Sequence, residues 1–294
     1  MNWKTKPKDY PKINNMAENS STNIDISKIA VVLAAHGSPA STGVETPTIR
    51  LQKNLSQADI FSTVSCGFLE QEPKISDVLK NVTESEVYVV PVMACKGYIA
   101  NTKLPRALNL TGDLTERLSS GGRQRIHLTD PLGTNDDLPI FASRMLCEAM
   151  EKANISPNDA SVIIVGHGSM QSRASFEQTN TIAKTMNNAE PKLNVKSAYL
   201  EEPPRIGDWE KISSAKHIFV LPIMISDGHH GRRDIPNEIG IKTDTMFDES
   251  LSSGIAGPYE INGKFVYMLA PLGESEQMAE LVISTVKQEI KKGR

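Results

Sequence analysis

Three blocks of sequence recur at one fixed spacing, and this repeat constrains the fold more than any other feature. The run Ile29-Ala30-Val31-Val32-Leu33-Ala34-Ala35 leads into His36-Gly37-Ser38, and 131 residues later Val162-Ile163-Ile164-Val165-Gly166 leads into His167-Gly168-Ser169. Phe68-Leu69-Glu70, followed by Pro73, Ile75 and Asp77, is matched at the same spacing by Tyr199-Leu200-Glu201 with Pro204, Ile206 and Asp208. Pro91-Val92-Met93 with Gly97 and Pro105 is matched again by Pro222-Ile223-Met224 with Gly228 and Pro236. Two copies of a unit this long make a duplicated domain; solenoid repeats are shorter, roughly 20–50 residues, and more numerous. A fourth pair, Pro131-Leu132-Gly133 and Pro271-Leu272-Gly273, is 140 residues apart. The second copy therefore carries nine extra residues between Pro236 and Pro271, and the polar stretch 248–259 is expected to hold them.

Each copy reads as strand and helix alternating four times. Strands are expected at 29–35, 60–66, 86–93 and 124–129, and again at 161–166, 194–200, 216–225 and 264–270. Short, continuous, branched apolar runs of this kind suit strands of a parallel sheet buried on both faces. Right-handed crossovers then place helices on both faces of each sheet. The expected fold is α/β, with two similar small domains related by pseudo-two-fold symmetry. The clearest helix carries Met278, Leu281, Val282, Val286 and Ile290 on one face and is expected to start near Ser275 as its cap. The turn-rich Ser156-Pro157-Asn158-Asp159 marks a boundary, giving domains 29–156 and 157–294, and residues 1–28 read as a flexible leader.

Composition narrows the function. A net charge of −3 offers no electrostatic footprint for nucleic acid or for an anionic membrane. The first 28 residues lack the apolar core of a signal peptide, and no apolar run is long enough for a membrane span. Three cysteines, Cys66, Cys95 and Cys147, show no metal-finger spacing, which favours a reducing, cytoplasmic setting.

In the second copy three successive strands each end in a candidate ligand: His167, Glu201 and His230. Parallel strands bring their C-terminal ends to one edge, where open α/β sheets place their sites. Neutral imidazole and carboxylate together suit Zn, Fe, Co or Ni, and an incomplete ligand set leaves a coordination position open. Taken singly, each has a bland reading. His167 can cap a helix, Glu201 beside Glu202 can be solvated loop, and either of His229 and His230 can be the exposed one. Their convergence at homologous strand ends is what favours a shared metal or proton-transfer site. Gly166-His167-Gly168-Ser169-Met170 is neither a nucleophile elbow nor a dinucleotide fingerprint, because Gln171 stands where either would need glycine.

A strand ending in His-Gly-Ser, then Leu-Glu before a proline, then Gly228-x-His230-x-x-x-Asp234-Ile235-Pro236 resembles the sirohydrochlorin chelatases of the cobalt/iron class II group. The resemblance covers residues 29–294 as two tandem units. It implies ATP-independent insertion of a divalent metal, Co2+ or Fe2+ with Ni2+ not excluded by the ligands, into a carboxylate-rich tetrapyrrole, for cobalamin or siroheme synthesis. No permanently bound cofactor is implied. By motif position His167 and His230 are the metal ligands and Glu201 assists catalysis. Arg232 and Arg233 are expected to hold substrate carboxylates, a role that charge-assisted pairing would supply. The first copy keeps His36 and Glu70 but has Ile99 in place of the second histidine and Lys103 in place of the aspartate. His36 and Glu70 are therefore expected either to be structural or to line the substrate cleft, and one metal site per chain is expected, in the second copy, the alternative being that His36 reaches across the cleft to the same bound substrate. Fused units imply a monomer with an internal pseudo-dimer. The competing readings are a non-catalytic metal or tetrapyrrole carrier and a metal-dependent hydrolase.

Overall fold

The computed structural model describes residues 24–38, 46–225 and 230–292. The first five-stranded sheet is built from β1 (Ile29–Ala35), β2 (Thr63–Phe68), β3 (Glu86–Pro91), β4 (Leu114–Ser119) and β5 (Gly122–Leu128), in the order β2-β1-β3-β5-β4. The second is built from β6 (Ala160–Gly166), β7 (Val195–Tyr199), β8 (His217–Pro222), β9 (Ile255–Ile261) and β10 (Lys264–Leu269), in the order β7-β6-β8-β10-β9. Four strands of each sheet are parallel, with registers such as Leu33↔Cys66 and Leu33↔Val90, or Val165↔Ala198 and Val165↔Pro222. All eight expected strands are present within a few residues.

Each sheet also has a fifth, antiparallel edge strand that the sequence pattern did not reveal. β4 pairs with β5, and β9 with β10. Only Thr115 of β4 is fully buried, so the strand lacks an apolar signature. Its pairing comes from the hairpin to β5, not from burial.

The central strands β1 and β6 are buried along their whole length, as continuous apolar runs must be. One face of the first sheet, through Ala30, Val32, Val87, Val89 and Ile126, packs on α2 (Ile75–Lys80) and α3 (Leu104–Ala107). The matching face of the second packs on Ile206, Trp209, Ile235, Ile239, Phe247 and Leu251. α7 (Ile235–Ile239) is the counterpart of α3, whereas α8 (Thr245–Ser252) has none among the described residues. The extra residues of the second copy thus form a helix beginning before the expected stretch, capped by Asp244, which accepts from the Phe247 amide at 2.9 Å.

The compact units are not contiguous halves of the chain. Among the described residues, one unit comprises those from 136 to 275, the other those up to 135 together with those from 276 onward. α4 (Leu138–Ala153), which closes the first repeat, therefore belongs with the second sheet beside α5 (Ala174–Ala189). α9 (Gln277–Lys291), which closes the second repeat, belongs with the first sheet beside α1 (Pro47–Gln57) and β3. Asn135 Nδ2 donates to Thr285 Oγ1 at 2.8 Å and fixes α9 there. The sequence boundary at 156/157 describes the repeat but not the packing unit. A short 3-10 turn, Pro157–Asp159 capped by Ser156, occupies it.

Two smaller expectations also change. α9 starts at Gln277 with Glu276 at its N-cap and no side-chain cap, so Ser275 does not cap it. Most of the expected leader lies outside the described residues, but Ile26–Lys28 form a 3-10 turn leading into β1.

Candidate functional site

In the unit spanning residues 136–275, β6 ends at Gly166 and the chain turns through His167-Gly168-Ser169. Gly168 has φ +76°, a left-handed conformation that glycine adopts without strain. A Cβ there would also meet Glu202 Cγ at 3.0 Å. The turn is pinned from two sides. The Gly168 amide donates to Ser175 Oγ at 3.1 Å, and the Ser169 amide donates to Glu202 Oε1 at 3.0 Å. Glu202, not Glu201, is the buried member of the acidic pair, and Arg173 Nη1 stands 3.7 Å from its other oxygen. Sequence reasoning passed over Glu202. The available signal was Gln71 at the same register in the first copy, whose Oε1 accepts from the Ser38 amide at 3.3 Å.

Past β7 the ladder continues into the loop. The Leu200 amide donates to Gly166 O at 3.2 Å and the Glu201 amide to His167 O at 3.0 Å. These bonds set Glu201 beside His167, with Oε2 3.8 Å from Nδ1, while Glu201 itself stays largely in solvent. Beneath the loop Tyr199 is fully buried, stacked on Phe176, and its hydroxyl donates to Phe176 O at 3.1 Å. Burial pushes this phenol up to about 12, so it stays protonated.

β8 leads, after residues 226–229, into a π-helical turn over His230–Asp234 and then α7. Single π turns inside helices recur at functional sites. Gly231 lets this turn lie against Pro271, whose Cγ a Cβ would approach to 2.4 Å. The result brings His167 and His230 together edge to face, with ring centroids 5.0 Å apart.

The tautomers follow from the partners. His167 Nδ1 lies 2.9 Å from Gly168 O, and a carbonyl can only accept, so Nδ1 carries the proton. His230 Nδ1 lies 2.5 Å from Asp234 Oδ2, which likewise accepts from it. In both neutral rings the lone pair is then on Nε2, the arrangement in which an outer carboxylate or carbonyl orients a metal-binding imidazole. Asp234 was visible in the sequence motif, but its role as the orienting partner of His230 was not.

Among the described residues, no group of three or more His, Cys, Asp or Glu side chains is gathered to hold a metal ion. The structure brings the two histidines together and sets Glu201 beside His167, 3.8 Å from its Nδ1. Such a pair can receive a metal but cannot enclose it.

The two arginines behave differently from each other. Arg232 Nε donates to Glu274 Oε1 at 2.9 Å and Nη2 to Oε2 at 2.5 Å, and Nη1 stands 3.5 Å from Asp248. Glu274 is 6% exposed. Arg232 thus joins the π turn to α8 and to the turn after β10. Arg233 is exposed and makes no ion pair among the described residues. His229 lies outside the described residues.

The other unit has the same frame with different chemistry. The Leu69 amide donates to Ala35 O at 3.1 Å and Glu70's to His36 O at 2.9 Å, and a π-helical turn spans Ile99–Lys103. Ile99 packs toward the core, and Lys103 Nζ forms an ion pair with Glu70. That hydrogen bond and charge hold Glu70 below the usual carboxylate range.

A sequence model of the CbiX family matches residues 30–149 and 161–289, one match to each repeat. The chain belongs to the CbiX family. Among CbiX relatives, a probable sirohydrochlorin cobaltochelatase of Halobacterium salinarum is 25% identical over 71% of this chain and 76% of its own. A sirohydrochlorin cobaltochelatase of Saccharolobus islandicus is 29% identical over 42% of this chain and 98% of its own, a single-repeat relative. The fold is shared with SirB from Bacillus subtilis with Fe3+, at TM-score 0.63 and 16% identity over 90% of this chain and 98% of that one. It is shared too with a multi-domain protein of Deinococcus radiodurans with structural similarity to chelatases, at TM-score 0.66 and 22% identity. That match covers 88% of this chain but only 54% of the Deinococcus protein. No helix among the described residues is long and apolar enough to cross a membrane.

Proposed function

We propose that this CbiX-family chain is a tetrapyrrole metal chelatase that inserts cobalt or iron into sirohydrochlorin, for cobalamin or siroheme synthesis, at the His167–His230 pair. The observation that carries the reading is that pair: two imidazoles whose ring centroids lie 5.0 Å apart, each with its Nδ1 held by an oxygen acceptor. An insertion enzyme must give its metal away, and a two-imidazole platform holds a divalent ion with most coordination positions open. The metal is a substrate here, as is the macrocycle. Insertion replaces two pyrrole N–H protons by the ion, so two protons must leave. Glu201, solvent-facing and 3.8 Å from His167, is placed to accept one and pass it to water. The donor set takes Co2+, Fe2+ and Ni2+ alike, so metal supply selects among them. Arg233 is the cation available for a substrate carboxylate. His36 and Glu70 serve the substrate rather than the metal. The three free cysteines suit a reducing compartment, and the chain is taken to work in the cytoplasm as a monomer.

The test mixes protein, sirohydrochlorin and Co2+ or Fe2+ and follows the visible spectrum. Insertion faster than the protein-free rate, lost in His230→Ala, supports the reading. A stable spectral shift without turnover would instead make the chain a metal or tetrapyrrole carrier.

A further inference from the structure

The two units share a backbone frame at the sheet edge. In each, a His-Gly-Ser turn follows the central strand, with glycine φ of +72° at Gly37 and +76° at Gly168. In each, the glutamate amide donates to the histidine carbonyl, at 2.9 Å for Glu70 and 3.0 Å for Glu201. In each, a five-residue π turn follows the third strand and runs into a short helix whose first residue, Leu104 or Ile235, is fully buried. Chain geometry therefore does not separate a metal-binding edge from one that binds none. Two side chains do, at the first and fifth positions of the π turn: Ile99 for His230, and Lys103 for Asp234.

These two changes fit one another. With the histidine gone, an aspartate at the fifth position would have no imidazole to orient and would add a second carboxylate near Glu70. Lys103 instead sends its ammonium to Glu70, at the edge where His36 also stands. Glu70 thus has a covalently tethered cation where a mobile one would otherwise be drawn. We infer that Lys103 is a built-in substitute for the metal ion, which closes the first unit's site to Co2+ and Fe2+ while its frame stays competent to bind them. The ligand class that the reopened site would take is a divalent cation with nitrogen and oxygen donors from His36, Glu70 and the π turn. This rests on the reading of His167 and His230 as the metal pair.

The experiment measures Co2+ bound per full-length chain by equilibrium dialysis, with the visible Co2+ spectrum as a second readout. A His230→Ala parent silences the second unit, and comparing it with the wild type tests the proposed metal pair separately. In that parent, Ile99→His with Lys103→Asp is expected to restore about one Co2+ per chain, following the ligand arithmetic of the intact site. Lys103→Asp alone keeps Ile99 in the core, so folding is not at stake; it should bind Co2+ more weakly than the double variant but measurably above the parent. Lys103→Arg, which keeps the cation, should bind no more than the parent. Folded Lys103→Asp variants, single and double, that bind no more Co2+ than the parent would overturn the inference, and so would Lys103→Arg binding as well as Lys103→Asp.

Discussion

The two units hold the same strands in the same order, and their site edges differ in how the π turn is treated. In the unit of residues 136–275 the turn carries His230, is oriented by Asp234, lies on Pro271 and is tied by Arg232 to Glu274 and Asp248. In the other unit the corresponding turn has Ile99 facing the core and Lys103 on Glu70, and the described residues there hold no helix equivalent to α8. A duplicated fold keeps its frame because the frame is fixed by strand pairing and buried apolar faces, which Lys103 leaves untouched and to whose margin Ile99 adds an apolar contact. The chemistry at the edge rests on a few half-exposed side chains and can change without unfolding anything. The unit with the histidine pair also has extra supports, consistent with a site whose ligands must be held in place.

The comparison can be broken most directly through the histidines. His167→Ala and His230→Ala should each bring metal insertion down to the protein-free rate, with little change in melting temperature. His36→Ala should leave one Co2+ bound per chain by dialysis. Loss of the bound metal in His36→Ala would place ligands in the wrong unit.

The next effect concerns stability. Arg232→Ala strands the nearly buried Glu274 carboxylate, and removing one partner of such a pair costs about 3 kcal/mol or more. Arg233→Ala, at an exposed position, should stay within about 0.5 kcal/mol. Chemical denaturation of the two variants checks this. Equal, small losses with a raised KM in Arg232→Ala would return Arg232 to the substrate.

Asp234→Asn keeps the size of the side chain but removes the charge that orients His230. Loss of such an outer partner commonly costs about 10–100-fold in metal affinity. The Co2+ dissociation constant should rise by that factor with folding unchanged, and an unchanged constant would remove Asp234 from the site's supports.

The smallest effect is expected from Glu202→Gln. Gln71 already holds the Ser38 amide in the first unit, so an amide oxygen can replace the carboxylate on Ser169. Stability should change by less than about 1 kcal/mol, the typical worth of one such bond. A marked fall in Co2+ affinity would show that the buried charge, and not only the bond, serves the second site.

The repeat, the eight parallel strands and the three strand-end residues His167, Glu201 and His230 were legible in the sequence. Each depends on local pattern: continuous apolar runs, turns after them, and one constant spacing. The antiparallel strands β4 and β9 were not, because most of their residues are exposed or half-buried and they carry no apolar run. The helix exchange was hidden for a related reason. The apolar faces of α4 and α9 announce burial, but an apolar stripe does not say which sheet will cover it. Neighbouring residues of like type were the other blind spot. Glu201 and Glu202 are adjacent acids, and Arg232 and Arg233 adjacent bases. Only the positive φ of Gly168 and the π turn decide which of each pair points into the protein and which into water. The sequence by itself determined the duplicated α/β plan and the sheet edge at which His167, Glu201 and His230 gather, since both follow from strand periodicity. Tertiary structure alone decided the partners of each charged side chain, because those partners come from segments distant in the chain, such as Glu274 for Arg232 and Lys103 for Glu70.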